Sequence, residues 1–298
     1  MQIKKAEWRL AFRVHGGQKL YDNTQLLSQF TLIKNSLRYW CADPFLIEKD
    51  GIRYVFFELY DRLKRKGCIG YRILNADGTY TKIKKVYEDS CHLSYPNVFF
   101  HAGNYYMMPE SSGGKTLYVL RAEQFPDVWV KQRVLLQDLP VVDTTFLNYG
   151  DNYYAFTSPT VKDNISYLSI SPVDSDGAMD KERIINPVLC DKACARMAGN
   201  FIKTDDGVIR VSQDCSARYG GGLVFSKITK LDETGYAEQE FCRLSGDLQV
   251  AGKRFDGIHT YALDEQVECI DLKIEAKFNL VETVGFILQK LKRVFKRK

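Results

Sequence analysis

Five stretches of sixteen residues can be laid on one another along this chain, 48 to 60 residues apart: Asp43–Glu58, Tyr95–Glu110, Asp143–Ser158, Gly199–Asp214 and His259–Ile274. Each reads as a strand, a turn and a second strand. The ninth column is a turn column, Gly51, Gly103, Asp151, Gly207 and Val267, and it fails in the last copy. The twelfth holds Tyr54, Tyr106, Tyr154, Arg210 and Ile270. A repeat of this length suits a blade of four short strands. A solenoid of helix pairs would need apolar residues at helical spacing, which these copies lack. The expected fold is all-β: a five-bladed β-propeller over residues 1–280, with blade starts near 43, 95, 143, 199 and 259. The alternation Trp8–Val14 is the candidate strand to close the ring, since closure removes open sheet edges. The alternative is a mixed β protein whose hairpins resemble one another by chance.

The chain carries a formal charge of +5. Residues 290–298 hold six basic residues and no acid, so the remainder sits at −1. The basic character is therefore a tail. Over 281–298, Val284, Ile287, Leu288, Leu291, Val294 and Phe295 recur at helical spacing, which predicts a short basic amphipathic helix. Such a helix suits an anionic membrane surface. It can also cap the propeller. Nucleic acid is not expected as a partner, because the body offers no basic field to match.

The first residues are charged where an export signal would be apolar, and no apolar run is long enough to span a bilayer. The expected location is cytoplasmic, peripheral on the inner face of the membrane. The eight cysteines then read as reduced thiols. Cys190 and Cys194 lack a second pair at ligand spacing, so neither a metal nor a cofactor is expected.

In a propeller, equivalent strand starts from different blades converge on one axial mouth. The first column gathers Asp43, Tyr95, Asp143, Gly199 and His259, and the last brings Glu58, Glu110, Ser158 and Asp214. Carboxylates around one pocket can act as acid and base on a glycosidic bond. The catalytic candidates are Asp43, Asp143 and Glu110, with Tyr95 and His259 orienting a sugar. The fourth copy adds Arg196, Arg210, Gln213, Asp214, Arg218 and Tyr219 within 24 residues. Arg210 replaces the tyrosine of the first three copies. Guanidinium groups bind phosphate bidentately, so this cluster suits a sugar phosphate or nucleotide sugar. The other reading is an Arg210–Asp214 network that braces the blade.

The stretches ADPF (42–45), SYPNVF (94–99), ARMAGNF (195–201), SQDCSARYGGGL (212–223) and GIHTY (257–261) resemble the propeller-like N-terminal domain of glucosamine inositolphosphorylceramide transferases. The resemblance covers roughly residues 39 to 275. More remotely the set is similar to the five-bladed propellers of glycoside hydrolase family 43. That likeness implies Asp43 as general base and Asp143 as the acid-tuning residue. Where those hydrolases carry a general-acid Glu at a later blade start, this chain has Arg196-Met-Ala-Gly199. The departure points away from simple hydrolysis. The expected function is sugar transfer from a phosphate-activated donor in cell-surface glycan or glycolipid assembly. A cytosolic glycoside hydrolase or phosphorylase, and a non-catalytic sugar-binding module, are the alternatives.

Overall fold

A computed structural model of the protein describes residues 4–160, 165–174 and 177–295, with side chains from Lys5 to Leu291; Lys296–Lys298 of the basic tail lie outside the described residues. The five repeats fold into five blades around an axis, and a short helix follows them. Blade one runs outward through Tyr39–Lys49, Ile52–Asp61, Lys66–Leu74 and Lys84–Tyr87. Blade two is Ser94–His101, Asn104–Glu110, Thr116–Gln124 and Val128–Gln137. Blade three is Val141–Tyr149, Asn152–Pro159, Tyr167–Val173 and Leu189–Cys190. Blade four is Ile202–Thr204, Gly207–Gln213, Gly222–Asp232 and Gly235–Ser245. A small hairpin, Asp247–Val250 with Lys253–Asp256, separates it from blade five.

Blade five joins the two ends of the chain. Its inner strands Tyr261–Leu263 and Val267–Lys277 are followed outward by Lys4–Val14 and Thr31–Leu32. Lys4–Val14 pairs with Val267–Lys277 in unbroken antiparallel register, Lys4 opposite Lys277 and Val14 opposite Val267. Buried Arg13 on the closing strand pairs with Glu268, whose other oxygen accepts from the Leu20 amide at 2.6 Å and the Tyr261 hydroxyl at 2.5 Å. Breaking such a pair leaves an uncompensated buried charge, so it fixes the closure specifically.

The turn column explains the sharp inner hairpins. Asp50 and Gly51 have φ of 52° and 76°, and Ala102 and Gly103 have 45° and 78°. Two left-handed residues in succession make the two-residue turn whose twist matches antiparallel strands. Between blades one and two the core is aromatic: Phe56 meets Trp129 edge-on at 5.7 Å and Tyr71 at 5.4 Å. Each such side chain, fully buried, stabilises the fold by about 1.5–3 kcal/mol.

Candidate functional site

Four of the five column-one residues have left-handed backbone: Asp43 (φ 52°), Tyr95 (43°), Asp143 (51°) and Gly199 (127°). The first three arise in one way. In blade one Ala42 pairs with Glu58 and Phe45 with Phe56, so three steps on the inner strand match two on its neighbour. Ser94–Asn97 against Glu110–Met108, and Val142–Thr145 against Ser158–Phe156, repeat that bulge. The extra residue breaks the strand's alternation and re-aims its side chain. A non-glycine residue held this way costs about 1–2 kcal/mol, and such strain clusters at functional sites. At Gly199 a Cβ would collide with the Tyr261 carbonyl.

The Asp43 carboxylate is buried and held on both oxygens. Oδ2 accepts from the Tyr95 amide at 3.0 Å, and Oδ1 from the Thr260 hydroxyl at 3.1 Å. His259 Nε2 stands 3.4 Å from Oδ1. The other ring nitrogen, Nδ1, lies 2.6 Å from Asp271 Oδ2. Asp271 also accepts the amides of Asp43 (2.9 Å), His259 (3.0 Å) and Thr260 (2.9 Å). Burial pushes Asp43 up to about 7, helped by the charges of Glu58, Asp271 and Asp143 and opposed by His259. For His259 burial acts downward, but Asp271 and Asp43 outweigh it and raise its pKa. The ligand atoms of Asp43, His259 and Asp271 lie within 4.8 Å of one another, the spacing a metal ion needs. Three backbone amides already occupy both Asp271 oxygens, and the trio forms a carboxylate–imidazole–carboxylate chain in which Nδ1 is in close contact with Asp271 without a well-formed hydrogen bond.

Blades three and four supply the second half. Asp143 Oδ2 accepts from Arg196 Nε and from Gln213 Nε2, the latter at 3.1 Å. The Arg196 guanidinium lies 5.0 Å over the Tyr219 ring. That ring meets His259 edge-on at 5.3 Å, and Trp8 stacks on His259 at 3.8 Å. The Tyr95 hydroxyl reaches from blade two to Thr145 (2.9 Å) and to the Gly199 amide (2.8 Å), linking three blades. Glu110, half-buried, accepts from the Ser112 hydroxyl at 2.9 Å. Burial and the charge of Asp143 push it up to about 8, with Arg196 opposing. Glu58 is buried and 3.1 Å from His92, whose side chain is partly exposed and whose pKa Glu58 raises against partial desolvation. Burial thus raises both Glu110 and Asp43 above the ordinary carboxylate range, Glu110 the further of the two. That is the division of labour acid–base catalysis requires.

Asp43, Tyr95, Glu110, Asp143, Arg196, Gln213, Tyr219 and His259 are brought into this connected mouth. Three expected binding residues are not. Arg210 is fully buried, and its five N–H groups face Glu238 (2.7 and 2.5 Å), the carbonyls of Cys194 (2.6 Å) and Ala195 (3.3 Å), and Met197 Sδ (3.8 Å). It braces blade four and has no donor left for phosphate. Asp214 is not its partner; Arg243 is paired with Asp214 instead. Arg218 reaches outward to the Asp256 carbonyl and Asp247, both at 2.9 Å, and holds the small hairpin. The reading from sequence missed Asp271 and His92. Asp271 had a signal: its column elsewhere holds Val55, Met107, Ala155 and Val211, and a carboxylate in an apolar column is out of pattern. His92 lies in a linker with no column to flag it. A cleft of about 660 Å³ opens at the opposite end, around the inner hairpin turns of blades two to four, away from the acids.

Residues 31–271 match the family model described as glucosamine inositolphosphorylceramide transferase 1, N-terminal. A curated relative, glucosamine inositolphosphorylceramide transferase 1 of Oryza sativa subsp. indica, is 32% identical over 203 residues, covering 66% of this chain. The chain spans about a quarter of that relative's length, 27% being matched. Among solved structures, the catalytic domain of the Coprinopsis cinerea GH62 α-L-arabinofuranosidase superposes with a TM-score of 0.58 at 14% identity, covering 80% of this chain and 93% of that one. A GH43_1 enzyme from Xanthomonas citri gives 0.53 at 10%, covering 86% and 93%. At these identities the structural likeness establishes the fold alone.

Proposed function

The chain belongs to the glucosamine inositolphosphorylceramide transferase 1 N-terminal family, and from that premise we propose that it is a sugar-transferring enzyme working in the axial mouth. The family supports a carbohydrate-active role; the activity, the donor, the reaction and the residue roles are our reading. The donor is a sugar carrying a phosphate leaving group. Asp43 takes the proton from the acceptor hydroxyl as that oxygen attacks the anomeric carbon. Glu110 gives its proton to the departing phosphate oxygen as the glycosidic C–O bond breaks. Arg196, with His92 at the rim, balances the charge that develops on the phosphate. Asp143 and Gln213 position Arg196. An anionic membrane surface is where the acceptor is met.

The observation that carries this reading is the gathering of two carboxyl groups, Asp43 and Glu110, and a buried guanidinium, Arg196, from three different blades, with burial raising the pKa of both carboxyls. Calorimetric titration with sugar 1-phosphates and nucleotide sugars tests it. The wild type binds, and Arg196→Ala loses at least about tenfold in affinity, as removal of one charged hydrogen-bonding partner does. Equal binding by both proteins would overturn the assignment of the phosphate subsite.

A second reading, glycoside hydrolysis or phosphorolysis in the same mouth, is favoured by one feature: Glu110 holds its proton to about 8, as the general acid of a glycosidase does. Release of reducing ends from glycosides lacking phosphate, lost in Glu110→Gln, would select it.

A further inference from the structure

The C-terminal helix, Leu280–Phe295, is docked by its least apolar face. Glu282 is buried between Lys5 and Arg62, and its amide bonds the Asn279 side chain at 3.0 Å. Gly285 lies so close to the carbonyls of Arg62 and Leu63 that no side chain would fit there. Gln289 continues this inner face, half-buried. Roughly half a helical turn away, Val284, Ile287, Leu288 and Leu291 form one stripe, each between 41 and 51% exposed. A helix capping the body would bury that stripe. This one leaves it about half exposed while the opposite face docks on the blade-one turn. Cations flank it: Lys290 lies over the Phe286 ring at 4.5 Å and Arg65 at 5.3 Å.

The dock is also at the mouth end of the propeller. The turn carrying Arg62–Arg65 joins two strands of blade one at the end where Ala42 pairs with Glu58. Tyr60 lies on the strand that runs from Glu58 to this turn, between the two in sequence. Its ring stacks on Trp40 at 4.5 Å and lies 6.2 Å from His92.

We propose that this helix lies in the plane of an anionic bilayer and seats the propeller with its axial mouth turned toward the lipid headgroups. Charge complementarity selects this occupant over a second copy of the chain. Residues 290–298 carry six positive charges and no acid, whereas the rest of the chain is close to neutral at −1. An outward apolar stripe with cations such as Lys290 and Arg65 beside it is the pattern of an interfacial helix. Among the described residues no helix is long and apolar enough to cross a membrane, so the contact is peripheral through this element. Only the identity of what is met there, an acceptor hydroxyl held at the headgroup layer, rests on the sugar-transfer reading. The docking itself does not.

Co-sedimentation of the full chain with vesicles containing about a third phosphatidylglycerol, against pure phosphatidylcholine, tests the proposal. Binding to the anionic vesicles alone, weakened by salt, is expected. Leu288→Asp with Leu291→Asp should lower it about tenfold or more while the melting temperature holds, because both side chains are exposed. Asp43→Asn should bind as the wild type does, which separates docking from the chemistry. Fluorescence quenching by brominated phosphatidylglycerol reads the orientation: it should fall in Trp40→Phe. Sedimentation unchanged in the double variant, or a concentration-dependent dimer that the double variant abolishes without vesicles, would overturn the bilayer assignment. Quenching unchanged in Trp40→Phe would overturn the orientation.

Discussion

His259, two residues ahead of the inner strand of blade five, and Asp271, on the next strand, stand 2.6 Å apart, Nδ1 to Oδ2, with the carboxylate wholly shut off from solvent. Asp271 is held by three backbone amides and holds the imidazole in turn, whose far nitrogen faces Asp43. The orientation of the proposed base therefore depends on a residue that touches no substrate.

Asp271→Asn keeps an acceptor for the amides but removes the charge. The His259 pKa should then fall, because burial acts downward once the main opposing charge is gone. Histidine NMR titration of wild type and variant checks the sign. A His259 pKa unchanged or higher in the variant would show that Asp271 does not hold the imidazolium.

Activity should follow a bell between about 7 and about 8. Asp43 must lose its proton to act, and does so near 7; Glu110 must keep its own, and does so up to about 8. The two limbs belong to the coupled pair and not to either residue alone. A pH–rate profile of kcat/KM checks this, and Glu110→Gln should remove the alkaline limb along with most of the rate.

Stability carries the same signature. A carboxyl whose folded pKa lies above its unfolded value adds stability below the unfolded pKa, and that contribution is lost as pH rises through the folded one. For Glu110 the window runs from its ordinary 4.5 to about 8. Glu110→Gln should therefore gain thermal stability relative to wild type as pH is raised across that window. A melting-temperature difference that stays flat with pH would contradict the raised pKa.

Arg210→Ala should cost about 3–5 kcal/mol in unfolding free energy, since it strands Glu238 in a partly buried position and leaves two carbonyls unmet. Sugar-phosphate affinity of the folded variant should not change. Denaturant melts and calorimetry on one preparation separate the two effects.

The ring was legible because each blade repeats one strand–turn–strand unit, and the turn column with its glycines marks the hairpins. The convergence of column one followed from that geometry, but the bulge that aims Asp43, Tyr95 and Asp143 did not. An inserted residue leaves no mark in the three sixteen-residue copies that share it, because they align without a gap. Arg210 misled for a physical reason. In the tyrosine column its guanidinium fills the same packed position as the aromatic rings do, and its counter-charge, Glu238, lies on a strand outside the repeat. Asp271 was visible as a charge in an apolar column, whereas His92 and the outward stripe of the C-terminal helix depend on tertiary placement alone.

The central claim is that Asp43 and Glu110 act together on a phosphate-activated sugar in one mouth. Release of the phosphate-bearing leaving group from a panel of nucleotide sugars and sugar 1-phosphates, by wild type, Asp43→Asn and Glu110→Gln, tests it most directly. The prediction is turnover of at least one donor by the wild type and a loss of about 10²–10⁴-fold in each variant. Turnover at the wild-type rate in both folded variants would contradict it.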